Sequence, residues 1–187
     1  MARTPDRAEQ ERQKQEIIET ATELILEHGL GGIGLADICK SVRMSKSALN
    51  YYYPSKDHIL RDIQDKHFRG ITDTIFEWID SLEETAPVKE AVYGFMRMLM
   101  ENERLIKLHA ALIGEAATVA DGIRERFFDK YKEWQVMVEN GIMKTEYPAS
   151  LPDNLPQLML LLLDGMIAHR ILGMDVMATQ VLNALLP

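Results

Sequence analysis

Apolar residues recur along this chain every three or four positions. Nowhere do they alternate with polar ones in the Val-, Ile- and Thr-rich runs that build strands. A period near 3.6 gathers such residues on one face of a helix, so the chain must pack helices against one another. Its 7 prolines and 11 glycines are few for 187 residues, and they fall at the breaks between periodic stretches. The expected fold is all-α, with about nine helices and short connections. The N-terminal MARTPDRAEQERQKQ has no apolar core and is not read as a secretory signal. The longest unbroken apolar run, Leu158 to Leu163, is too short to span a bilayer, so the chain is read as soluble with no membrane partner. A single Cys forms no internal disulfide and fits a reducing compartment.

The breaks divide the chain as follows. A first helix runs from about Glu11 to His28, with Ile17, Ala21, Leu24 and Ile25 in one stripe and Gly29 as its stop. Leu30 to Gly34, with three glycines, is expected to be loop. Short helices follow at about Leu35–Val42 and Lys46–Tyr52, the second capped by the Ser45 hydroxyl. Pro54 ends it, and a long fourth helix covers about Lys56 to Leu82. A fifth starts at Pro87 and reaches about Glu103, and a sixth spans Leu105 to Glu115. A seventh, capped by Asp121, reaches about Ile142. An eighth runs from Leu155 or Pro156 to Leu172, and Asp175 caps a ninth that ends the chain.

Enzyme signatures are missing. The sequence has no GxSxG, GxxxxGK[ST], HExxH or GxGxxG, and none of its five histidines has Glu three residues before it. No catalytic residue, metal site or cofactor is assigned. Cys39 is expected to be a small buried hydrophobe.

One window stands out against a net charge of −8. From Lys40 to Lys56 there are four cations (Lys40, Arg43, Lys46, Lys56) and no acid, with Ser45, Ser47, Asn50, Tyr51, Tyr52 and Ser55 among them. Such a mixture suits contacts to phosphates and base edges, although a solvated polar corner has the same composition. The spacing favours the first reading. Two short helices joined by a tight turn, the second opened by a hydroxyl cap, form a helix-turn-helix. Its second helix would offer Lys46, Ser47, Asn50 and Tyr51 to a major groove, with Lys46 suited to guanine and Asn50 to adenine. Arg43 and Ser45 flank it, and Tyr52 and Lys56 would reach the backbone of double-stranded DNA.

Residues 12–60 resemble the N-terminal domain of the TetR family of bacterial transcription regulators. The resemblance rests on IIETATELILEHGL followed by LADICKSVRMSKSALNYYYPSKDHIL, with Asp37-Ile38, Ser45-Lys46, Leu49, Tyr52-Tyr53 and Pro54-Ser55-Lys56 in the family frame. It implies a three-helix, homeodomain-like DNA-binding domain over 1–55 and a helical ligand-binding and dimerisation domain over 56–187. It also implies a cytoplasmic homodimer on a palindromic operator, most simply as a ligand-responsive repressor. The alternative is a structural or division-control protein that binds DNA on the same fold without an effector. Three positions depart from the frame. Arg43 stands at the glycine of the turn, Gly34 at the Ser or Thr cap of the second helix, and Asn50 at a Tyr that meets phosphate. Residues 1–60 sum to −1, from 8 basic and 9 acidic residues, and Arg3, Arg7, Arg12 and Lys14 are expected to add contacts from a flexible arm.

Helix eight, LPQLMLLLLDGMIAHRILG, is apolar nearly all round and must be covered on more than one side. Leu158, Leu161, Leu162, Gly165 and Leu172, with Val181 and Leu185 of helix nine, are the expected dimer surface. A pocket for a small apolar ligand is expected among helices five to eight. Its candidate lining is Met96, Met100, His109, Trp134, Met137, Met159, Met166 and His169, although methionines on helix faces are more often core.

Overall fold

Gly29 (φ 74°, ψ 161°) follows the first helix with a positive φ that favours glycine, and Arg43 and Gly173 share a left-handed backbone (φ 55° and 74°) just past the ends of two others. A residue in that conformation turns the chain back over the last carbonyls of a helix. These three stops, with the caps below, set the punctuation of the fold. The computed structural model describes residues 7–83, 85–117, 122–146, 152–174 and 183. Among them it has eight α-helices and no strand beyond one isolated bridge, Pro87 with Glu146. The expected ninth helix with its Asp175 cap, the Asp121 cap, Val181, Leu185 and Arg3 lie outside the described residues. The chain divides into two compact units, residues 1–67 and 68–187.

The first unit holds α1 (Arg7–His28), α2 (Leu35–Ser41), α3 (Lys46–Tyr52) and the start of α4 (Lys56–Ser81). Its core gathers Ile17, Ala21, Ile25, Ile38, Leu49, Tyr53, Ile59 and Ile63, all buried. Leu30–Gly32, expected as loop, forms one turn of 3-10 helix, because burial of Leu30 and the Gly32 N–H to Gly29 carbonyl bond (3.3 Å) hold it. The basic residues expected on a flexible arm are helical instead, for Arg7, Arg12 and Lys14 all lie in α1, and Arg12 pairs with Glu9 at 2.7 Å. Cys39, expected buried, is half-buried.

Two ends of α2 explain why so short a helix persists. At its start Gly34 has no side chain to cap, but the Asp37 carboxylate accepts the Gly34 N–H at 2.7 Å, which is half of a capping box. At its end the Arg43 N–H donates to the Lys40 carbonyl (3.3 Å) and the Met44 N–H to the Cys39 carbonyl (2.9 Å). This is a Schellman closure with arginine in the place that glycine usually takes.

The second unit holds the rest of α4, then α5 (Val88–Glu101), α6 (Glu103–Ala116), α7 (Gly122–Ile142) and α8 (Leu155–Ile171). Helix α6 begins two residues earlier than its apolar spacing suggests, because the Asn102 side chain accepts the Leu105 N–H at 3.0 Å and caps it. Aromatic side chains knit the unit. Phe68 meets Phe127 and Trp134 edge-on at 5.0 and 5.6 Å, and Trp78 meets Phe95 at 5.0 Å. Buried indole N–H groups need acceptors. Trp78 donates to the Ala91 carbonyl and Trp134 to the Thr72 hydroxyl, both at 2.9 Å. Gly141 faces the Trp78 ring so closely that a β-carbon there would overlap it. No helix among the described residues is long and apolar enough to cross a membrane.

Candidate functional site

Helix α3 is a two-sided element of seven residues. Leu49 is buried, and Tyr53, just past its end, is buried too, with its hydroxyl donating to Asp62 at 2.7 Å. Burial and the neighbouring carboxylate push the Tyr53 hydroxyl far above its ordinary pKa, so it remains a donor. These inward contacts fix the rotation of the helix. The same rotation leaves Lys46, Ser47, Asn50 and Tyr51 exposed.

The start of α3 is built as the sequence suggests. Ser45 has an extended backbone, and its hydroxyl accepts the Ala48 N–H at 3.2 Å and lies 3.0 Å from the Ser47 hydroxyl. Free N–H groups and the positive end of the helix dipole therefore face outward beside Lys46. Arg43 is exposed on the turn before it. Tyr51 is 60% exposed, accepts a hydrogen bond from Gln10 of α1 at 2.8 Å and meets the half-buried Tyr52 edge-on at 5.1 Å. Gln10 was not singled out from sequence. It lies 41 positions away, and nothing local marks it.

Lys56 is placed differently from its expected backbone contact. Its ammonium donates to the carbonyls of Leu30 and Ile33 at 2.7 and 2.8 Å and is partly buried. Two of its three hydrogens thus tie the start of α4 to the connection between α1 and α2. It acts as a clamp within the domain. The outward cations of the window are Lys40, Arg43 and Lys46.

In the second unit one cavity lies among α4, α6, α7 and α8, with Leu99 from α5. It has about 380 Å³ of atom-free space including its open mouth. Its enclosed part has room for little more than a water molecule. Aliphatic groups of Ile71, Leu99, Leu105, Ile106, Leu160, Leu163 and Ile167 form most of the wall, and His109, Tyr131, Trp134 and Asp164 the rest. Of the eight residues expected to line a pocket, only His109 and Trp134 do so. Met96, Met100, Met159 and Met166 are buried as core, Met137 is half-buried, and His169 is exposed in the last turn of α8. Unbranched thioether chains have filled the gaps between helices and left the cavity to branched aliphatics.

Three polar side chains meet at the cavity wall. The Tyr131 hydroxyl lies 2.8 Å from each oxygen of Asp164 and 2.9 Å from His109 Nε2, which is 3.3 Å from Asp164. The phenol has one hydrogen, and the carboxylate takes it. His109 Nε2 must then carry the other proton and donate to Tyr131. Burial and Asp164 raise the Tyr131 pKa well above its usual value. Among the described residues no group of three or more His, Cys, Asp or Glu is placed to hold a metal ion. Asp164, which follows the apolar run Leu158 to Leu163, is not among the site residues expected from the sequence. A lone carboxylate in such a helix was the available signal.

The surface expected to pair two subunits lies on the side of α8 away from these contacts. Leu158, Leu161 and Leu172 are exposed, Leu161 by 60% and Leu172 by 73%, Gly165 is exposed and Leu162 half-buried. Met159, Leu163, Met166 and Ile167 are buried on the opposite side.

Residues 17–63 match the model of a family described as bacterial regulatory proteins, tetR family. The chain is 31% identical over 99 residues to the biofilm operon icaADBC HTH-type negative transcriptional regulator IcaR of Staphylococcus epidermidis. That similarity covers 53% of this chain and spans about half, 52%, of the relative. The fold is similar to that of a transcriptional regulator (TerR/AcrR family) from Aquifex aeolicus VF5, with TM-score 0.68, 19% identity, and coverage of 92% of this chain and 95% of that one. It is also similar to a TetR transcription regulator from Haloarcula marismortui, with TM-score 0.70, 18% identity and 87% of both chains covered.

Proposed function

We propose that this chain, whose residues 17–63 match the tetR family of bacterial regulatory proteins, is a sequence-specific DNA-binding repressor that acts as a homodimer and responds to a small ligand. The observation that carries the reading is the division of α3. Leu49 and Tyr53 anchor it inward, while Lys46, Ser47, Asn50 and Tyr51 are exposed beside a capped N-terminus. A helix so held can enter a major groove with its first turn against the bases. Lys46 donates to guanine and Asn50 pairs with adenine, while Arg43, Ser45 and Tyr52 touch the flanking phosphates. Repression is favoured over activation by the likeness to a negative regulator.

One short helix buries too little surface for tight binding, so the working form is a dimer reading two half-sites about 34–36 Å apart. The exposed apolar stripe of α8, from Leu158 through Leu161 and Gly165 to Leu172, is the surface that a second copy would cover. The effector site is the cavity of the second unit. A polar cluster set into an aliphatic wall favours this over an effector-free DNA-binding protein, whose core has no use for a carboxylate there. Helix α4 gives Ile71 to that cavity and clamps the first unit through Lys56 at its other end. A ligand that prefers one setting of α4 shifts the DNA-binding population by its differential affinity for the two states.

Fluorescence anisotropy with duplex DNA from beside the coding region tests the reading. The wild type should bind one site specifically, and Lys46→Ala with Asn50→Ala should abolish the preference over random duplex. Unchanged specificity in a folded double variant would remove α3 from the interface.

A further inference from the structure

The cavity of the second unit has an aliphatic wall and a single formal charge. No Lys or Arg lines it, His109 lies 2.9 Å from the Tyr131 hydroxyl, and Asp164 supplies a carboxylate. We infer that the cavity takes a small organic cation, an amine or quaternary ammonium bearing a short apolar arm. This deepens the effector reading above and rests on it for its regulatory meaning.

Charge decides between ligand classes. An anion would lie beside the Asp164 carboxylate with no Lys or Arg in the wall to offset the repulsion. A neutral apolar molecule would match the leucines and isoleucines. It would also strip water from a carboxylate that is about a third exposed, at 31%, and give nothing in return. A cation supplies the missing partner. Tyr131 and His109 satisfy only part of the Asp164 oxygens, since a carboxylate has about four acceptor positions. The rings of Tyr131 and Trp134, with centroids 5.3 Å apart, also line the cavity, and aromatic faces attract cations. The hydroxyl of Tyr131 then has a second task. By donating to both Asp164 oxygens it fixes the carboxylate at the wall before any ligand arrives. The enclosed part admits little more than a water molecule, so the charged head sits in the open part of the cavity, where Asp164 keeps its exposure.

The test uses the full-length protein and three probes of one shape family: benzyltrimethylammonium, benzyl alcohol and benzoate. Titration calorimetry gives affinity, and the emission of Trp134 reports occupancy. Benzyltrimethylammonium should bind saturably and at least about tenfold more tightly than benzyl alcohol, a difference of about 1.4 kcal/mol, with benzoate weakest. Asp164→Asn, which keeps the shape and removes the charge, should bring the cation and alcohol within about threefold of each other. Should that variant not fold by circular dichroism, the probe ranking of the wild type decides alone. Equal or tighter binding of alcohol or benzoate overturns the inference. So does a folded Asp164→Asn that keeps the preference, or no cation binding up to about 10 mM. Charge-selective binding that leaves DNA affinity unchanged supports the cation site and removes the effector role proposed above.

Discussion

Arg43 holds a left-handed backbone at φ 55°, the only positive φ among the described non-glycine residues. An L side chain there costs about 1 kcal/mol relative to glycine. The fold accepts it because the turn between α2 and α3 needs that conformation, and the Met44 N–H to Cys39 carbonyl bond closes over it. A cation at the tip of a helix-turn-helix is a reason to keep it. Arg43→Gly should therefore raise the thermal midpoint by about 2–4 °C, as about 1 kcal/mol does in a domain of this size. The same variant should weaken DNA binding. Calorimetry beside anisotropy checks both, and a destabilised Arg43→Gly would show that the side chain contributes contacts of its own. Gly34 offers the opposite case. Its backbone is extended (φ −119°), any residue fits there, and a β-carbon would meet Asp37 Oδ2 at an ordinary 3.5 Å. Gly34→Ser completes the capping box and should add a few tenths of a kcal/mol to urea-derived stability. Both positions were legible from sequence as departures from a family frame. Lys56 was not legible, because its two acceptors lie 26 and 23 residues away, and a lysine near a basic window looks like any other exposed cation.

Helices were the legible level of this fold. Caps and stops act within one turn, so Ser45, Pro54 and Gly173 could be read locally, and the bounds of α3 follow from them. What helices bring together was not legible. The Tyr131, His109 and Asp164 cluster joins α7, α6 and α8 across separations of 22 to 55 residues. No periodicity encodes that meeting. The methionines misled for a related reason, since a flexible side chain on a buried face suits a cavity and a gap equally well. Packing at the level of elements gives two predictions. Gly141 of α7 is where Trp78 of α4 lies flush, so Gly141→Ala forces the indole aside and should cost about 1–3 kcal/mol in chemical denaturation. A cost near zero would mean that the ring shifts freely. On α8, Leu161 is 60% exposed in a stripe spaced like a helix–helix seam. Leu161→Glu should convert a species of twice the 21.4 kDa chain mass to the monomer in light scattering and weaken operator binding with it. A dimer that survives this change would need another surface.

The whole molecule carries −8, so the DNA binding proposed above depends on where its few outward cations lie. Long-range attraction to a polyanion is poor, so affinity comes from close contacts and the counterions they release. Of the four cations between Lys40 and Lys56, the fold spends Lys56 on its own carbonyls and leaves Lys40, Arg43 and Lys46 exposed. That division sets a measurable difference. Each phosphate contact adds about 0.9 to the slope of log K against log salt, and a symmetric dimer counts each contact twice. Arg43→Ala, which removes the cation placed on phosphate, should thus flatten the slope by about 2. Lys56→Met removes a clamp and no phosphate contact. It should leave the slope as it is and lower the stability of the first unit, by roughly 1–3 kcal/mol for two carbonyls left without their charged donor. Anisotropy titrations across a salt series, with urea denaturation of the same variants, separate the two. If Lys56→Met flattens the slope as much as Arg43→Ala, its ammonium leaves the Leu30 and Ile33 carbonyls for phosphate when DNA arrives, and the clamp is a resting state of the domain.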